Sequence, residues 1–320
     1  MKLKIQIVVS LIAAMLLFPA VSQAAGISLG FATWYTKWEP YWAQYKKQMQ
    51  PVEFGMYSFI YPIPNDNPIE IKPNCMYGPV LSFHLPANIS ITTRFLYGQF
   101  TANKKDYYSG IFLTLDNIGL MRRYDADIML RYGFMDLLYL KAGFKYVHIN
   151  YKVLSLSESL IEYYMAARIE KNNKYNEYAP VIGLGVSIPA IKNILSIDID
   201  AVFQYCFAMG YVRESIITRT ELTSHITVIP PFSTLKNVKK LGAEANLNVV
   251  YHVPVIPMNL SVGFRYNMYK KLQKEAENKL KYEHQYGLTA MVDYRFDFSK
   301  KAIEASNDQD LKSGKDDTGI

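Results

Sequence analysis

Pairs of carboxylates separated by one residue are the first candidates for chemistry in this chain. They occur as Asp125 with Asp127 and as Asp198 with Asp200. Two close carboxylates can bind a cation or share a proton. Arg123 precedes the first pair by two residues, so ion pairing is the simpler interpretation of these carboxylates. The sequence predicts neither a metal site nor a cofactor.

The histidines are the next candidates, because a hydrolase needs a positioned general base. The chain contains His84, His148, His225, His252 and His284. None lies two residues from an aspartate, so the sequence lacks the Asp–His pair used by surface proteases of the omptin type. Ser224 beside His225 is only a weak indication of an esterase. The sequence therefore predicts a protein that is not an enzyme, with a surface enzyme acting on lipid or peptide as the less favoured alternative.

The elements that must position these side chains show a period of two residues. Between Leu195 and Ala208 the odd positions are apolar, and the even positions include serine, aspartate and glutamine. Only a β-strand separates such sets onto opposite faces. Because the apolar set ends in aromatic residues, we expect it to face lipid and the charged set to face an enclosed lumen.

This alternation predicts an all-β fold, in which about ten antiparallel strands close into a transmembrane β-barrel. The strands are expected at 26–38, 75–86, 88–100, 120–133, 136–150, 177–188, 194–209, 241–253, 257–270 and 282–298. Short turns alternate with long loops at 39–74, 101–119, 151–176, 210–240 and 271–281. In outer-membrane barrels the long loops are extracellular and the short turns periplasmic, so loop length predicts the topology.

The first residues indicate export. Lys2 and Lys4 precede an apolar run from Ile5 to Phe18, and small residues follow it. The run is shorter than the roughly 20 residues of a transmembrane helix. We therefore predict a cleaved signal peptide at 1–24, a transmembrane barrel at 25–298 and a polar periplasmic tail at 299–320. The composition of that tail is typical of disorder.

Aromatic residues gather at the ends of the set that is expected to face lipid. Along one strand Ile89 and Ile91 give way to Phe95 and Tyr97, and other strands repeat this order. Two aromatic girdles around an aliphatic band are typical of membrane barrels.

The last strand resembles the assembly signal of bacterial outer-membrane β-barrel proteins. Gln285 and Gly287 precede alternating hydrophobic residues that end on Tyr294, Phe296 and Phe298. The chain continues beyond this aromatic residue, where many such proteins stop. The resemblance implies an outer-membrane location, recognition of Gln285 to Phe298 by the barrel assembly machinery, and contact with lipid and lipopolysaccharide.

The inward positions carry both charges in near balance. The predicted lumen-lining residues are Arg94, Arg123, Asp125, Asp127, Arg131, Lys141, Lys145, Asp198, Asp200, Glu244, Arg265, Asp293 and Arg295. Such a balance favours ion pairing across the lumen over a filter for one sign of charge. The alternative is a narrow path for ions or small solutes lined by the same residues.

All three tryptophans fall together, at Trp34, Trp38 and Trp42. The first two share the inward parity, which places this aromatic cluster near the predicted mouth. Its rings either pack the mouth shut or bind an amphipathic ligand. In the third long loop, apolar residues between Leu160 and Ile169 have helical spacing and predict a short amphipathic helix.

Much of the formal net charge of +7 comes from lysines in predicted loops, such as Lys236 to Lys240. These clusters suit lipopolysaccharide phosphates, although solvated loops are the commoner case. Nothing in the sequence resembles a nucleic-acid-binding module. Cys75 and Cys206 fall on strands expected to lie far apart, which disfavours a disulfide. The predicted function is a narrow channel or solute-translocating barrel, and the alternative is a closed barrel with a surface-binding or structural role.

Overall fold

The computed structural model describes residues 26–40, 70–102, 105–109, 112–159, 165–220, 225–272 and 282–297. The predicted signal peptide, the polar tail, Trp42, Phe298 and most of the first long loop lie outside the described residues. Within the described ranges, no helix is long and apolar enough to span a membrane.

The regular structure of the described residues consists of strands. These are β1 (Gly26–Glu39), β2 (Asn74–Leu85), β3 (Ile89–Phe100), β4 (Lys105–Ser109), β5 (Phe112–Ile118), β6 (Met121–Gly133), β7 (Leu138–Ser159), β8 (Met165–Ile191), β9 (Leu195–Thr220), β10 (His225–His252), β11 (Met258–Lys271) and β12 (Tyr282–Asp297). The bounds of β1, β2, β3, β6, β11 and β12 agree with the expected ones within one residue, whereas β7 to β10 each extend well beyond the predicted bounds at one end.

The strands close into a single antiparallel barrel. Their order is β4-β5-β7-β6-β3-β2-β1-β12-β11-β10-β9-β8, and a further ladder between β7 and β8 closes the ring. The β4–β5 hairpin pairs with the far part of β7, outside that ring, so ten strands form the barrel. Closure leaves the ring without free edges. The expected all-β transmembrane barrel of about ten strands is confirmed.

Short connections gather at one end of the barrel, which we call the turn end. Ala87 and Asn88 have φ values of 60° and 58° between β2 and β3, and Asn193 has a φ of 60° between β8 and β9. Left-handed residues of this kind allow tight hairpins. Gly26 pairs with Asp297, so the barrel also begins and ends at the turn end.

The opposite end, which we call the extended end, is uneven in height. The strands β7 to β10 contain 22 to 28 residues, whereas β1, β2, β3, β11 and β12 contain 12 to 16. A membrane-spanning strand needs only about 9–11 residues. The tall wall, which we define as the parts of β7 to β10 beyond the short strands, therefore rises well past the membrane layer.

The strand pairing in the tall wall contradicts two predictions made from the sequence. Much of 151–176 and 210–240, predicted as loops, continues the strand ladders. The predicted amphipathic helix is also wrong, because Ser155 pairs with Ile169 and Met165 begins β8, while 160–164 lie outside the described residues. Cross-strand pairing decides the conformation here, and helical spacing of apolar side chains does not.

A proline pair interrupts the ladder between β9 and β10 in the tall wall. The register shifts between Ile229 and Phe232, at the position of Pro230 and Pro231. Proline has no backbone N–H to donate, so it is found in sheets at edges and bulges. The shift is therefore a local consequence of the sequence.

The outer surface of the barrel is apolar. Ile182 and Phe203 are each 64% exposed, and many other large apolar side chains point outward. Outward aromatic rings also contact one another across strands, as in Tyr77 with Tyr97 at 6.3 Å and Tyr97 with Tyr124 at 4.9 Å between centroids. An aliphatic band with an aromatic girdle suits a lipid environment and not water.

Candidate functional site

The lumen is the candidate site, because the strand alternation collects the charged side chains there. All of the predicted lumen-lining residues, from Arg94 on β3 to Arg295 on β12, occupy the inward parity of their strands. The positions beside them in sequence face outward and are mostly apolar. The pleat of the strands thus separates charge from lipid along the barrel wall.

A buried cluster of charges spans the middle of the lumen. The Glu244 carboxylate accepts hydrogen bonds from Lys145 across the lumen and from Arg265 on the neighbouring strand, the latter at 3.0 Å. The side chains of all three are at most 6% exposed. Asn246 donates to Glu244 and to Asp200, at 2.8 Å each. The Glu244 carboxylate therefore has hydrogen-bonding partners on three strands, as a buried carboxylate requires, while Nε of Arg265 is buried without a hydrogen-bond partner in the described structure.

The cluster continues towards other strands through Asp200. Lys141 on β7 donates to Asp200 on β9 at 2.6 Å. Arg131 lies 3.6 Å from Asp198 and stacks over the Tyr139 ring at 3.6 Å. The two ion pairs skip one strand, from β7 to β9, and two strands, from β6 to β9, so these charges connect strands that do not share a backbone ladder.

Two further pairs remain close to the wall. Arg94 binds Asp127 on the adjacent strand at 2.6 Å, and Arg123 binds Asp125 on its own strand at 2.8 Å. The carboxylate pair Asp125 and Asp127 is therefore used in ion pairs. Within the described residues, no cluster of three or more His, Cys, Asp or Glu is placed to hold a metal ion.

A second charged cluster, which the sequence reasoning missed, lies nearer the extended end. Lys240 donates to Glu177 at 2.5 Å and to Glu283 at 2.8 Å, and its side chain is 3% exposed. Lys240 was expected in a loop, and the two glutamates stand at or near predicted strand ends. Their parity was the available signal, since Glu283 precedes the inward Gln285 by two residues.

Aromatic and aliphatic side chains fill the extended half of the lumen and form what we call the plug. Its central residues are Trp34, Trp38, Met76, Leu96, Phe100, Met121 and Ile149. Trp34 and Trp38 are each 1% exposed, and the Trp38 ring lies edge-on to Phe100 at 5.8 Å. Two of the predicted mouth tryptophans are thus packed inside the barrel.

The plug is joined to the charged clusters through its tryptophans. Trp38 Nε1 donates to Glu283 at 2.9 Å, and the guanidinium of Arg123 lies 5.0 Å from the centre of its ring. Arg265 lies 4.5 Å from the centre of the Trp34 ring. Desolvated contacts between a cation and an aromatic face contribute about 2 kcal/mol. The plug is therefore held electrostatically as well as by packing.

Two cavities accompany these groups. The larger has a volume of about 170 Å³ and is lined by charged residues such as Arg94, Lys141 and Glu244, together with Trp34. The smaller, of about 20 Å³, is lined by Trp38, Lys240 and other residues nearer the extended end. Of these two cavities, the one among the charged side chains is therefore much the larger.

The cysteines and two of the histidines belong neither to the charged clusters nor to the plug. Cys75 and Cys206 are free thiols on β2 and β9. The rings of His148 and His284 bond to Asn176 and Tyr266. The side chain of His225 and all of Ser224 lie outside the described part of the molecule. The weak esterase signal at these two residues stays untested.

Comparison with known proteins gives similarity of architecture. No protein-family model and no curated protein matches this chain. The chain is similar to outer membrane protease OmpT from Escherichia coli, with 13% identity, coverage of 85% of this chain and 95% of that one, and a TM-score of 0.43.

Two further solved structures are similar. The translocator domain of autotransporter NalP from Neisseria meningitidis has 12% identity, coverage of 90% and 97%, and a TM-score of 0.40. The outer membrane channel DcaP of Acinetobacter baumannii has 9% identity, coverage of 85% and 96%, and a TM-score of 0.20. These likenesses concern the fold alone.

Proposed function

We propose that this protein is an integral β-barrel of the bacterial outer membrane, exported by a cleaved signal peptide, with a lumen that is closed at rest. Its tall wall then stands outside the cell as a surface-binding or structural element. The apolar outer surface supports the membrane location, because an exposed band of Ile182, Phe203 and similar residues would be unfavourable in water.

The burial of the plug side chains is the observation that best supports a closed lumen. Trp34, Trp38, Met76 and Phe100 are 0–1% exposed inside the barrel. The Trp38 and Phe100 rings pack with their centres 5.8 Å apart, and the cavity of about 20 Å³ beside Trp38 is too small for a hydrated ion. In a barrel that is closed at rest, the function is carried by the parts outside the membrane.

A narrow channel for ions or small solutes is the second candidate, as the sequence predicts. The cavity of about 170 Å³ and its charged lining support it. Passage would require the plug to move, since the smaller cavity beyond Trp38 holds only about 20 Å³. Both signs of charge line the larger cavity, which favours small zwitterionic or neutral polar solutes over one class of ion.

Two partners follow from the membrane location. The strand from Gln285 towards Phe298 is proposed as the segment recognised by the barrel assembly machinery, and β12 pairs with β1 to close the barrel. Lipopolysaccharide is proposed to surround the extended end, where the basic segments meet its phosphates.

Single-channel recording in planar bilayers tests the closed state. We expect the intact protein to show no steady current, and the double variant Trp34→Ala with Trp38→Ala to conduct. The matched control is Tyr35→Ala, which removes an outward aromatic side chain that is 55% exposed and should leave the barrel silent. Steady conductance of the intact protein would support the channel instead.

A further inference from the structure

A chain of polar side chains crosses four consecutive strands at the turn end. Ser196 on β9, His252 on β10, Asn259 on β11 and Asp293 on β12 all face the lumen. Ser196 Oγ lies 3.3 Å from His252 Nε2, and His252 Nδ1 lies 2.7 Å from Asn259 Oδ1. Asn259 Nδ2 donates to Asp293 Oδ2 at 2.9 Å.

The direction of these hydrogen bonds follows from the last member of the chain. An ionised carboxylate only accepts, so Asp293 fixes the amide nitrogen of Asn259 on its own side. The amide oxygen of Asn259 then faces His252 and can only accept, which places the histidine proton on Nδ1. The lone pair of His252 Nε2 is thereby directed at the Ser196 hydroxyl. This is the arrangement that a histidine needs to act as a base towards serine.

The backbone around Ser196 is irregular in a way that suits the same chemistry. Pro189 pairs with Ser196 and Ile191 pairs with Leu195, so Ala190 is the extra residue of a β-bulge opposite the serine. A bulged residue stands outside the regular ladder, and bulges are over-represented beside active sites. The bulge therefore places an irregular stretch of backbone directly across the β8–β9 ladder from Ser196.

The larger cavity lies next to this group on the side away from the turn end, and its lining residues do not include Ser196, His252, Asn259 or Asp293. Val250, which is the cross-strand partner of Ser196, lines the cavity together with Asn248 and Ser261. Its volume of about 170 Å³ is close to that of protein cavities of about 150 Å³ that hold a benzene-sized molecule. The space therefore fits a short acyl group and excludes a long lipid chain.

We propose that Ser196, His252 and Asn259 form a hydrolytic site for small carboxylic esters that enter from the turn end. Ser196 Oγ attacks the carbonyl carbon while its proton passes to His252 Nε2. The bond to the alcohol oxygen breaks, and Nε2 returns the proton to the leaving alkoxide. Water, deprotonated by the same nitrogen, then attacks the acyl carbon, and the bond to Oγ breaks. Oγ recovers the proton, and a carboxylic acid leaves.

A second serine–histidine pair at the same end provides an internal control. Ser28 Oγ lies 2.8 Å from His84 Nε2. Within the described residues no amide or carboxylate oxygen is hydrogen-bonded to Nδ1 of His84, and the β1–β2 register beside Ser28 is regular. Ser28 is also 4% exposed, whereas Ser196 is half-buried. We therefore expect Ser28 to be unreactive.

An alkyl fluorophosphonate tests the site on the full chain purified in detergent. Its phosphorus forms a bond with an activated serine oxygen and releases fluoride, so labelling reports the nucleophile directly. We expect mass spectrometry to locate the label on Ser196. Labelling of the Ser196→Ala variant should be at least 10-fold lower than that of the unmodified protein. Labelling of the Ser28→Ala variant should be unchanged. Hydrolysis of p-nitrophenyl butyrate should follow the same order.

The positioning role of Asn259 is tested by removing its amide and by exchanging that amide with the Asp293 carboxylate. Asn259→Leu removes the acceptor for Nδ1 and should lower the labelling rate about 10-fold or more. The double variant Asn259→Asp with Asp293→Asn keeps an acceptor beside His252 and should restore labelling, which a purely structural role would not require. Absence of label on the folded protein, or label that survives in Ser196→Ala, would overturn the proposal whatever the conductance of the barrel.

Discussion

The two halves of the lumen are occupied in different ways. The half nearer the turn end contains paired charges around a cavity of about 170 Å³. The extended half contains the plug, with a cavity of only about 20 Å³ beyond Trp38. Hydrogen-bonded charges must keep the directions of their bonds and so leave gaps, whereas apolar side chains have no such bonds to keep, and flexible methionines fill the spaces between rings. The comparison indicates that the plug is closely packed, whereas the paired charges enclose a cavity.

The stability of the charged half depends on every charge keeping its partner, which is not so for the plug. A paired buried charge contributes little net stability, but a charge that loses its partner is strongly destabilising. Large-to-small changes in packed apolar side chains cost their transfer free energy and the remaining cavity. The two halves should therefore respond differently to the same kind of truncation.

The largest effect is expected for Glu244→Ala. This change leaves Lys145 and Arg265 buried without their shared carboxylate. We expect the free energy of unfolding to fall by about 3–5 kcal/mol. The measurement is urea unfolding in detergent, in which gel mobility reports the fraction of the barrel that remains folded. A loss below about 1 kcal/mol would mean that water already solvates this cluster.

An intermediate effect should separate the two tryptophans of the plug. Trp38→Phe removes the hydrogen bond to the buried Glu283, whereas Trp34 Nε1 is buried without a hydrogen-bond partner in the described structure. Both changes remove similar packing, so we expect Trp38→Phe to be more destabilising than Trp34→Phe by about 1.5–3 kcal/mol. The same unfolding assay compares them, and equal losses would show that packing alone holds the plug.

The smallest effect is expected for Asp297→Asn at the turn end. Its partner is Arg295 at 2.6 Å, and the two side chains are 34% and 42% exposed. Exposed pairs contribute about 0–1 kcal/mol, so unfolding should change within that range and become insensitive to salt. This variant is the matched control for Glu244→Ala, because it also removes one carboxylate from an inward pair.

The sequence predicted the membrane-spanning part of the fold well because lipid imposes a strict alternation. Outward residues such as Phe203 must be apolar, and inward residues such as Asp200 are free to be polar, so the strand bounds could be read directly. In the tall wall the outward side chains include charged and amide residues, so the alternation that lipid imposes is lost there, although inward residues such as Tyr151 and Asn173 remain buried. The ladders of β7 to β10 continue there through residues such as Lys152, Asn172 and Lys174, which carry no such signal.

The candidate site was predictable only in part. Parity placed the charges inside, but pairing across the lumen, as between Lys145 and Glu244, depends on the closed shape of the barrel. The same holds for Ser196 and His252, which are 56 residues apart and meet because the register of β9 and β10 brings their strand ends together. A single sequence shows the face of each residue without showing its neighbour on the next strand.

The proline pair in β10 also has a consequence for association between molecules. Among the described residues, β11 pairs with β10 only from Lys240 onward, so the part of β10 beyond it has a described ladder on the β9 side alone. An open sheet edge is a template on which a strand from another chain can add. Pro230 and Pro231 supply two consecutive positions with no backbone N–H and a shifted register. Neither proline can donate a backbone hydrogen bond to an added strand, so these two positions oppose growth of a sheet from one molecule to the next at this point of β10.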